Sequence, residues 1–240
     1  MRFTKYFICL TCLFTTITNE SYSQDIPTSR RAEIAINETS PALKAAFKKH
    51  GLKWGAAVYI RIFKQENVLE IWAQQGRTFK LFKSYPICTF SGTLGPKTKE
   101  GDNQAPEGFY FVTPRQLNPH SQFHLSFNLG YPNRYDQSHD RTGSALMVHG
   151  NCVSIGCYAM GDRQIEEIYA LIHSAFKHGQ PFFRAHIFPF KMENLEQYKS
   201  HSWYRFWRNL KQGYDLFEQT KRVPDVQVKN RQYVFSLSPA

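Results

Sequence analysis

A histidine and a cysteine lie eight residues apart in the segment LMVHGNCVSIGCYAMGD, residues 146–162. Both residue types serve nucleophilic catalysis, because the imidazole of His149 can take a thiol proton and a thiolate is a strong nucleophile. Gly156 permits a tight turn beside Cys157, in which backbone N–H groups of residues 154–157 can hold the oxyanion of a tetrahedral intermediate. This pattern predicts acyl transfer with Cys157 as the nucleophile and His149 as its base.

A third group is needed to orient the imidazole of His149. No carboxylate lies next to the histidine in the sequence, so we expect another group, such as a backbone carbonyl, in this role. Gly150 lets the backbone approach a substrate carbonyl closely, as Gly156 does. We therefore include Gly150 among the candidate substrate-binding residues.

The N-terminus has the pattern of a secretory signal peptide. Arg2 and Lys5 precede an apolar run over residues 7–17, and small residues follow up to Ser23. The run is too short for a membrane anchor, since a spanning helix needs about 20 residues. We predict cleavage after Ser23 and an exported mature chain without a transmembrane segment.

Composition fits one moderate domain: the chain has 240 residues, 42% of them hydrophobic. The formal net charge of +11 suits a polyanionic ligand. Nucleic acid is not an expected partner, because an exported protein meets little of it. The basic residues are dispersed along the chain, so they favour an acidic wall polymer only weakly.

Three cysteines remain after removal of the signal peptide with Cys9 and Cys12. An odd number in an oxidising compartment leaves at least one thiol unpaired, unless it pairs between chains. We predict a structural disulfide between Cys88 and Cys152, which keeps Cys157 free. Sequence cannot fix the connectivity, so the other pairings stay open.

Strand-like segments rich in Val, Ile, Tyr and Phe dominate the chain. A long Gly- and Pro-containing loop interrupts them over residues 90–108, and a loop of this length in a compact domain is more often functional than idle. Helices are predicted over 40–51, from Asp162 to about Gly179, and around the WYRFWRNL stretch. The predicted strands cover 56–63, 68–73, 77–87, 108–112, 144–149, 182–188 and 226–235. The sequence thus indicates a mainly β protein with a few helices.

The segment around Cys157 resembles the catalytic signature of the L,D-transpeptidase (YkuD-like) family, in which a His-Gly pair precedes a Ser-x-Gly-Cys element. More closely, the chain is similar to the YafK-type branch, the diaminopimelate–lipoprotein amidases. The resemblance covers nearly the whole mature chain, with several motifs in the family's order. They are YIRIFKQENVLEIW, SGTLGPKTKEGDNQAPEGFY, FNLGYPNRYD, HGNCVSIGCYAM and GYDLFEQTKRVP.

The resemblance implies an α+β fold, namely an L,D-transpeptidase-like β-sandwich with helical additions at both ends. We expect four regions along the chain. They are a signal peptide over 1–23, a helical lead-in over 24–54, the catalytic domain over 55–190, and a C-terminal extension over 191–240 that packs on the catalytic domain.

The resemblance also implies roles for individual residues. Cys157 is the nucleophile and His149 the general base and acid, while Ser154 and Gly156 shape the active-site turn. Many family members have histidine immediately before the Gly-Cys pair, where this chain has Ile155. The YafK-type branch also has an apolar residue there, so the nucleophile is expected to be the same, whereas the substrate geometry of the broader family does not transfer.

The reaction implied is thiolate attack on the L-centre carbonyl of meso-diaminopimelate in a peptidoglycan stem peptide. In the YafK-type branch, water takes the resulting thioester, which releases an outer-membrane lipoprotein joined through its terminal lysine. An amine acceptor would make the enzyme a crosslinking transpeptidase, and a terminal D-alanine leaving group a trimming carboxypeptidase. The expected partners are stem peptides and the lysine-linked lipoprotein, the expected location is the periplasm, and no cofactor is expected.

Loop and surface residues gave further candidates. Tyr131 and Asn133 are candidates for the substrate cleft, since aromatic loop residues often line pockets, although Tyr-Pro-Asn is also typical of a turn. Three arginines can hold a carboxylate bidentately, but solvated surface positions are the prediction for Arg134, Arg141 and Arg163. A stripe at helical spacing is predicted to pack rather than bind a ligand; it contains Trp203, Phe206, Trp207 and Leu210.

Two other classes of function stay open. The spacing of His149, Cys152 and Cys157 suits a metal-binding module, whose fourth ligand would be one of His120, His124 and His139. We predict no metal, because a Gly-flanked cysteine after a strand-borne histidine fits a nucleophile better. The other class is a non-catalytic wall-binding domain that keeps the fold. The intact pair of His149 and Cys157 argues against it.

Overall fold

The computed structural model describes residues 25–238; the predicted signal peptide, residues 1–23, lies outside this range. Short 3-10 helices cover Pro114–Gln116 and Met192–Tyr198. In chain order the other elements are α1 (Arg30–Lys49), β1 (Val58–Phe63), β2 (Val68–Gln75), β3 (Thr78–Pro86), β4 (Thr89–Phe90), β5 (Gly108–Val112), β6 (Leu117–Asn118), β7 (Ser126–Asn128), α2 (Arg134–Ser138), β8 (Met147–His149), β9 (Tyr158–Ala159), α3 (Asp162–Lys177), β10 (Phe183–Phe188), α4 (Tyr204–Thr220), β11 (Asp225–Lys229) and β12 (Gln232–Ser236).

The first sheet has the strand order β3-β2-β1-β10-β5. Its central strand β1 pairs with β10 in parallel and with β2 antiparallel. Every residue of β1 is buried, so both faces of this strand are covered. The near-continuous apolar sequence VYIRIF is what a strand covered on both faces requires.

The second sheet has the order β4-β9-β8-β7-β6 and shares one hydrophobic core with the first. Ile60 and Ile62 of β1 belong to the same buried cluster as Val148 of β8. The ring centroids of Phe127 in β7 and Phe183 in β10 are 5.4 Å apart. Helix α3 packs against β1, β8 and α1. The predicted α+β class, a β-sandwich with helical additions at both ends, is confirmed.

The other face of the first sheet is covered by α4 and the β11–β12 hairpin. Phe63, Phe109 and Phe188 form a second core with residues of these elements. The stripe predicted to pack does so: Phe206, Trp207 and Leu210 are buried, and Trp203 is partly buried against the same core. Within residues 25–238, no helix combines the length and apolar character that a membrane crossing requires.

Helix α1 is longer than predicted, because it begins at Arg30 rather than near residue 40. Ser29 caps it by accepting a hydrogen bond from the backbone N–H of Ala32. Pro41 lies inside the helix, where it removes one backbone hydrogen bond. A buried face that runs from Ala32 to Phe47 outweighs this loss, because packing commonly overrides local propensity.

Two strand predictions differ from the structure. The segment 144–149 forms a strand only over Met147–His149, and Ala145 before it has a φ of 54°. The segment 226–235 is two strands rather than one. Asn230 and Arg231 form its tight turn, with φ of 49° and 60°, as a two-residue hairpin loop requires.

The long loop before β5 is anchored by a buried ion pair. Lys64 Nζ lies 3.1 Å from Glu107 Oε1, and both side chains are fully buried. The ammonium also donates to the carbonyl oxygens of Gly95 and Ala105, at 2.8 and 3.1 Å. Glu107 Oε2 accepts from Trp207 Nε1 at 2.8 Å. One network therefore ties this loop to the end of β1 and to α4.

Replacing Lys64 with Met should lower the free energy of unfolding by about 3–5 kcal/mol, because it leaves the carboxylate of Glu107 buried and unpaired. The double variant Lys64→Met, Glu107→Gln should lose less, since no uncompensated charge remains. Urea denaturation measures both. Lys199→Met, which removes an exposed ion pair with Glu196, is the control and should be neutral. Equal stability of Lys64→Met and wild type would contradict the role of the ion pair.

Candidate active site

The catalytic candidates lie on two short strands that pair in parallel. Val148 of β8 lies opposite Tyr158 of β9, and His149 lies opposite Ala159. His149 is thus the last residue of β8, and Cys157 immediately precedes β9. The eight residues between the strands cross from one end of the pair to the other. This crossover brings the histidine and the cysteine to one region of the second sheet.

The imidazole of His149 is fixed by a backbone carbonyl. Its Nδ1 atom lies 2.6 Å from the carbonyl oxygen of Gly150, and the residue is only 2% exposed. A carbonyl oxygen can only accept a hydrogen bond, so Nδ1 carries the proton and Nε2 carries the lone pair. The structure thus supplies the backbone carbonyl that the sequence led us to expect. The remaining nitrogen is free to act as a base.

Phe123 covers the imidazole of His149. The two ring centroids are 4.7 Å apart, with an angle of 32° between the planes. Burial lowers the pKa of His149 below its ordinary value, and the hydrogen bond to Gly150 opposes this only in part. The imidazole is therefore neutral near pH 7 and able to accept a proton.

Cys157 is an unpaired thiol. Its sulfur accepts a hydrogen bond from the backbone N–H of Met147 at 3.4 Å and lies 3.8 Å from the carbonyl oxygen of Ala145. Burial raises the pKa of the Cys157 thiol, and the N–H of Met147 and the charge of Lys97 oppose this increase. Burial has the larger effect, so the resting thiol keeps its proton.

A neutral imidazole and a neutral thiol form the resting pair. Within residues 25–238, the sulfur of Cys157 makes no hydrogen bond to His149. Catalytic hydrogen bonds are often loose without substrate and tighten in the complex. Because neither group is charged at rest, this arrangement is suited to general base catalysis, in which the imidazole takes the thiol proton as the sulfur attacks.

Ser154 organises the turn before Cys157. Its hydroxyl donates to the carbonyl oxygen of Cys157 at 2.8 Å and accepts from the N–H of Gly156 at 3.2 Å. Ser91 lies 3.2 Å from the same hydroxyl. Gly156 has a φ of 138°, which a residue with a side chain rarely adopts. These contacts give Ser154 and Gly156 a physical role in shaping the turn.

A disulfide bridge joins the crossover to the short connection between β3 and β4. Cys88 and Cys152 are bonded, with Cα atoms 5.5 Å apart, and Cys157 is left free. The bridge uses the sulfur of Cys152 that the alternative metal module needs as a ligand. Among the described residues, no group of three or more His, Cys, Asp or Glu side chains could hold a metal ion.

Gly150 has no room for a side chain, because neighbouring atoms lie close to its Cα atom. A Cβ atom there would lie 2.7 Å from Asp162 Oδ1 and 2.9 Å from both His124 Cβ and the carbonyl oxygen of Phe123. The close approach of a neighbouring loop therefore explains the glycine without a substrate.

Tyr131 and Asn133 lie in internal hydrogen-bond networks. The hydroxyl of Tyr131, a residue that is 5% exposed, lies 3.3 Å from the carbonyl oxygen of Lys97 and 3.4 Å from that of Thr142. The amide of Asn133 accepts from the N–H of Asp136 and donates to the carbonyl oxygen of Phe109, both at 2.9 Å, and it also reaches Tyr233. Both side chains hold chain segments together around α2.

The three arginines fall into two groups. Arg134 and Arg163 are exposed, as predicted. The prediction for Arg141 was wrong, because this residue is buried and pairs with Asp136 at 2.8 Å. A carboxylate five residues earlier in the chain neutralises it, and α2 brings the two together.

Two residues near the site were missed by sequence reasoning. Phe123 stands in a polar segment with no periodic pattern, so nothing in the sequence marks it. Lys97 is buried, and its ammonium donates to Asp102 at 2.6 Å and to the carbonyl oxygen of Lys99 at 2.9 Å. Its place in the SGTLGPKTKEGDNQAPEGFY motif was the signal that could have identified it.

Comparison with known proteins identifies the protein family to which this chain belongs. Residues 57–183 match the family model of the L,D-transpeptidase catalytic domain, YkuD. The chain is also 46% identical over 184 residues to the Escherichia coli K12 protein named "Putative L,D-transpeptidase YafK". The match covers 76% of this chain and 75% of YafK. The chain therefore belongs to the L,D-transpeptidase family and is a peptidoglycan-modifying enzyme of that family.

Two solved structures are similar at a lower level. Pgp2, a helical cell shape determining protein of Campylobacter jejuni, is 15% identical with a TM-score of 0.45, over 83% of this chain and 80% of Pgp2. Bd1075 of Bdellovibrio bacteriovorus is 17% identical with a TM-score of 0.41, over 73% of this chain and 78% of Bd1075.

The resting protonation states predict a specific pH dependence. Since the pKa of His149 is lowered, the imidazole stays neutral to below its ordinary range, and the acid limb of kcat/KM should lie below pH 6.5. Since the pKa of Cys157 is raised, alkylation of the thiol by iodoacetamide should still increase with pH above 9. A pH series of both rates measures this. An acid limb above pH 7, or alkylation that is already maximal at pH 7, would show a preformed ion pair instead.

The disulfide predicts the outcome of non-reducing peptide mapping. A peptide pair linked through Cys88 and Cys152 should be recovered, with Cys157 carrying iodoacetamide label without prior reduction. Cys152→Ser should lower the free energy of unfolding by about 2–4 kcal/mol in urea denaturation, because the bridge closes a long loop. A bridge between Cys152 and Cys157 in active enzyme would contradict both the pairing and the nucleophile.

Proposed function

We propose that this protein is an exported, periplasmic cysteine hydrolase that releases a lysine-linked lipoprotein from peptidoglycan. The observation that carries the chemistry is the free thiol of Cys157 beside the crossover that starts at His149. The imidazole has its Nδ1 proton bound to Gly150, so Nε2 is the base. Membership in the L,D-transpeptidase family supports a stem peptide as the substrate.

The proposed reaction has two stages. The sulfur of Cys157 attacks the L-centre carbonyl of meso-diaminopimelate while His149 takes the thiol proton. The carbon–nitrogen bond to the lysine amine then breaks, the amine leaves with that proton, and a thioester remains. Water attacks the thioester, again with His149 as the base, which restores the thiol and leaves a free carboxyl group on diaminopimelate.

Backbone groups of the turn can stabilise the intermediate. The N–H of Gly156 is bound to Ser154 Oγ, whereas the N–H of Cys157 makes no hydrogen bond to the rest of the described chain. We assign the Cys157 N–H to the oxyanion of the tetrahedral intermediate. One such donor is typically worth about 10²–10³ in kcat.

Ile155 supports water as the acceptor. Its side chain is 83% exposed and apolar, so the position next to Gly156 offers no polar group to an incoming amine. Positioning a second substrate can contribute roughly 7–11 kcal/mol to the barrier reduction, so a transpeptidase needs groups that hold the acceptor. Water needs no such groups.

The alternative is transpeptidation or trimming at the same thioester. The relative YafK has a name that refers to L,D-transpeptidation, which favours this alternative. In that case an amine takes the acyl group to form a crosslink, or D-alanine is the leaving group and the tetrapeptide is trimmed. The chemistry of His149 and Cys157 is the same in both cases, so products decide between them.

Purified protein should be incubated with lipoprotein-bearing sacculi and, separately, with free disaccharide tetrapeptides, with products identified by mass. We expect free lipoprotein and a tripeptide whose diaminopimelate carboxyl is unmodified. Diaminopimelate–diaminopimelate dimers with the lipoprotein still attached would overturn the hydrolase and establish the transpeptidase.

Matched variants assign the chemistry in the same assay. Cys157→Ala should abolish release, and His149→Ala should reduce it by about 10²–10⁴, the usual contribution of general base catalysis. His120→Ala removes an exposed histidine and should have no effect. Normal turnover by Cys157→Ala would refute the nucleophile.

A further inference from the structure

Helix α1 precedes the region that matches the family model, yet its first turn is bonded to the loop that carries Phe123. Arg31 Nη1 donates to the carbonyl oxygen of Ser121 at 3.1 Å and to that of His124 at 2.9 Å. These contacts join residues about 90 positions apart in the chain. The start of α1 therefore fixes the backbone on both sides of Phe123.

A third bond from α1 reaches the beginning of the same loop. Ser29 Oγ donates to the carbonyl oxygen of Pro119 at 2.9 Å, in addition to capping the helix. On the opposite side, His124 Nε2 lies 2.7 Å from Glu166 Oε1 of α3. The loop is thus held between two helices, and α1 supplies most of its bonds to them.

The other side of the loop contacts Gly150, the residue that follows β8. The N–H of Gly150 donates to the carbonyl oxygen of Leu125 at 3.0 Å. The carbonyl oxygen of Phe123 comes so close that a Cβ atom on Gly150 would lie 2.9 Å from it. A shift of the loop would therefore displace Gly150, whose carbonyl oxygen accepts the hydrogen bond from His149 Nδ1.

Phe123 has no other aromatic partner within the part of the chain that is described. Its ring contacts the imidazole of His149 at a centroid distance of 4.7 Å and remains 39% exposed. Its own N–H is bound to Ser121 Oγ at 3.1 Å. The position of the ring is consequently set by the backbone of the loop, which Arg31 holds.

We propose that Arg31 is a positioning residue for the active site: it holds the loop so that Phe123 covers His149 and keeps the imidazole dry and oriented. The inference rests on the proposed role of His149 as the base. Arg31 acts through the loop and touches no reacting atom. The N-terminal helix is then a working part of the active site rather than an addition beside it.

Three variants test the bonds of Arg31. Arg31→Met keeps the length of the side chain and removes its donors, and we expect kcat to fall about tenfold with KM unchanged, since small displacements of a catalytic group are costly. Arg31→Lys keeps a donor and should recover most of the wild-type kcat. Arg30→Ala removes the neighbouring exposed arginine, which has no such bonds, and should match wild type. Equal losses in Arg31→Met and Arg31→Lys would overturn the proposal.

Phe123→Leu tests the same contact without altering α1. It should reduce kcat as much as Arg31→Met does, and the double variant should lose no more than the larger single loss, because both act through one contact. Additive losses would overturn the proposal. Thermal unfolding of each variant shows that the fold is retained.

Two readouts need no substrate, so they separate this proposal from the proposed function. The ring proton signals of His149 in NMR spectra feel the ring of Phe123, and in Arg31→Met they should move toward their positions in Phe123→Leu. The rate at which iodoacetamide alkylates Cys157 at neutral pH should fall in both variants. Wild-type signals and rates in Arg31→Met would refute the positioning role. If these shifts are present but no lipoprotein is released, the proposed substrate is wrong and the positioning role of Arg31 stands.

Discussion

The short parallel crossover from β8 to β9 is the constraint on which the rest of the site depends. Parallel neighbours usually need a connection of a dozen or more residues, often a helix, whereas here eight residues connect His149 to Tyr158. Such a segment must turn sharply, and its backbone N–H and C=O groups cannot all find hydrogen-bond partners within the segment. The bridge from Cys152 to Cys88, the hydroxyl of Ser154 and the left-handed conformation of Gly156 meet that requirement.

Burial determines how this pair of residues works. The same desolvation lowers the pKa of His149 and raises that of Cys157, so both groups are neutral at rest. A thiol that stays protonated is less open to oxidation than a thiolate. In the proposed reaction the thiol proton must move to the imidazole during attack, so the orientation of the imidazole is important. The carbonyl of Gly150, the residue next to His149, and the ring of Phe123, which lies on a separate loop, provide that orientation.

Elements at both ends of the chain support a site built from its middle. At the C-terminal end, Trp207 of α4 bonds to Glu107, and Glu107 with Lys64 anchors the loop that also contains Ser91 and Lys97. At the N-terminal end, α1 bonds to the loop that carries Phe123. The strands of the second sheet are only two or three residues long, so most of this side of the sandwich is loop. The added helices provide contacts that the sandwich lacks.

The sequence by itself predicted the class of fold and the residues that could carry out chemistry. The types and spacing of His149, Gly156 and Cys157 predicted a thiol-based reaction, because side-chain chemistry can be recognised without a structure. The helical spacing after Asp162 predicted α3 correctly. Tertiary structure decided what depends on burial and on distant contacts. It joined Cys88 to Cys152, placed Arg141 inside beside Asp136, and carried α1 through Pro41. It also set the protonation of His149 and Cys157 and brought Phe123 onto His149, because desolvation and ring contact arise only when separate segments of the chain are packed together.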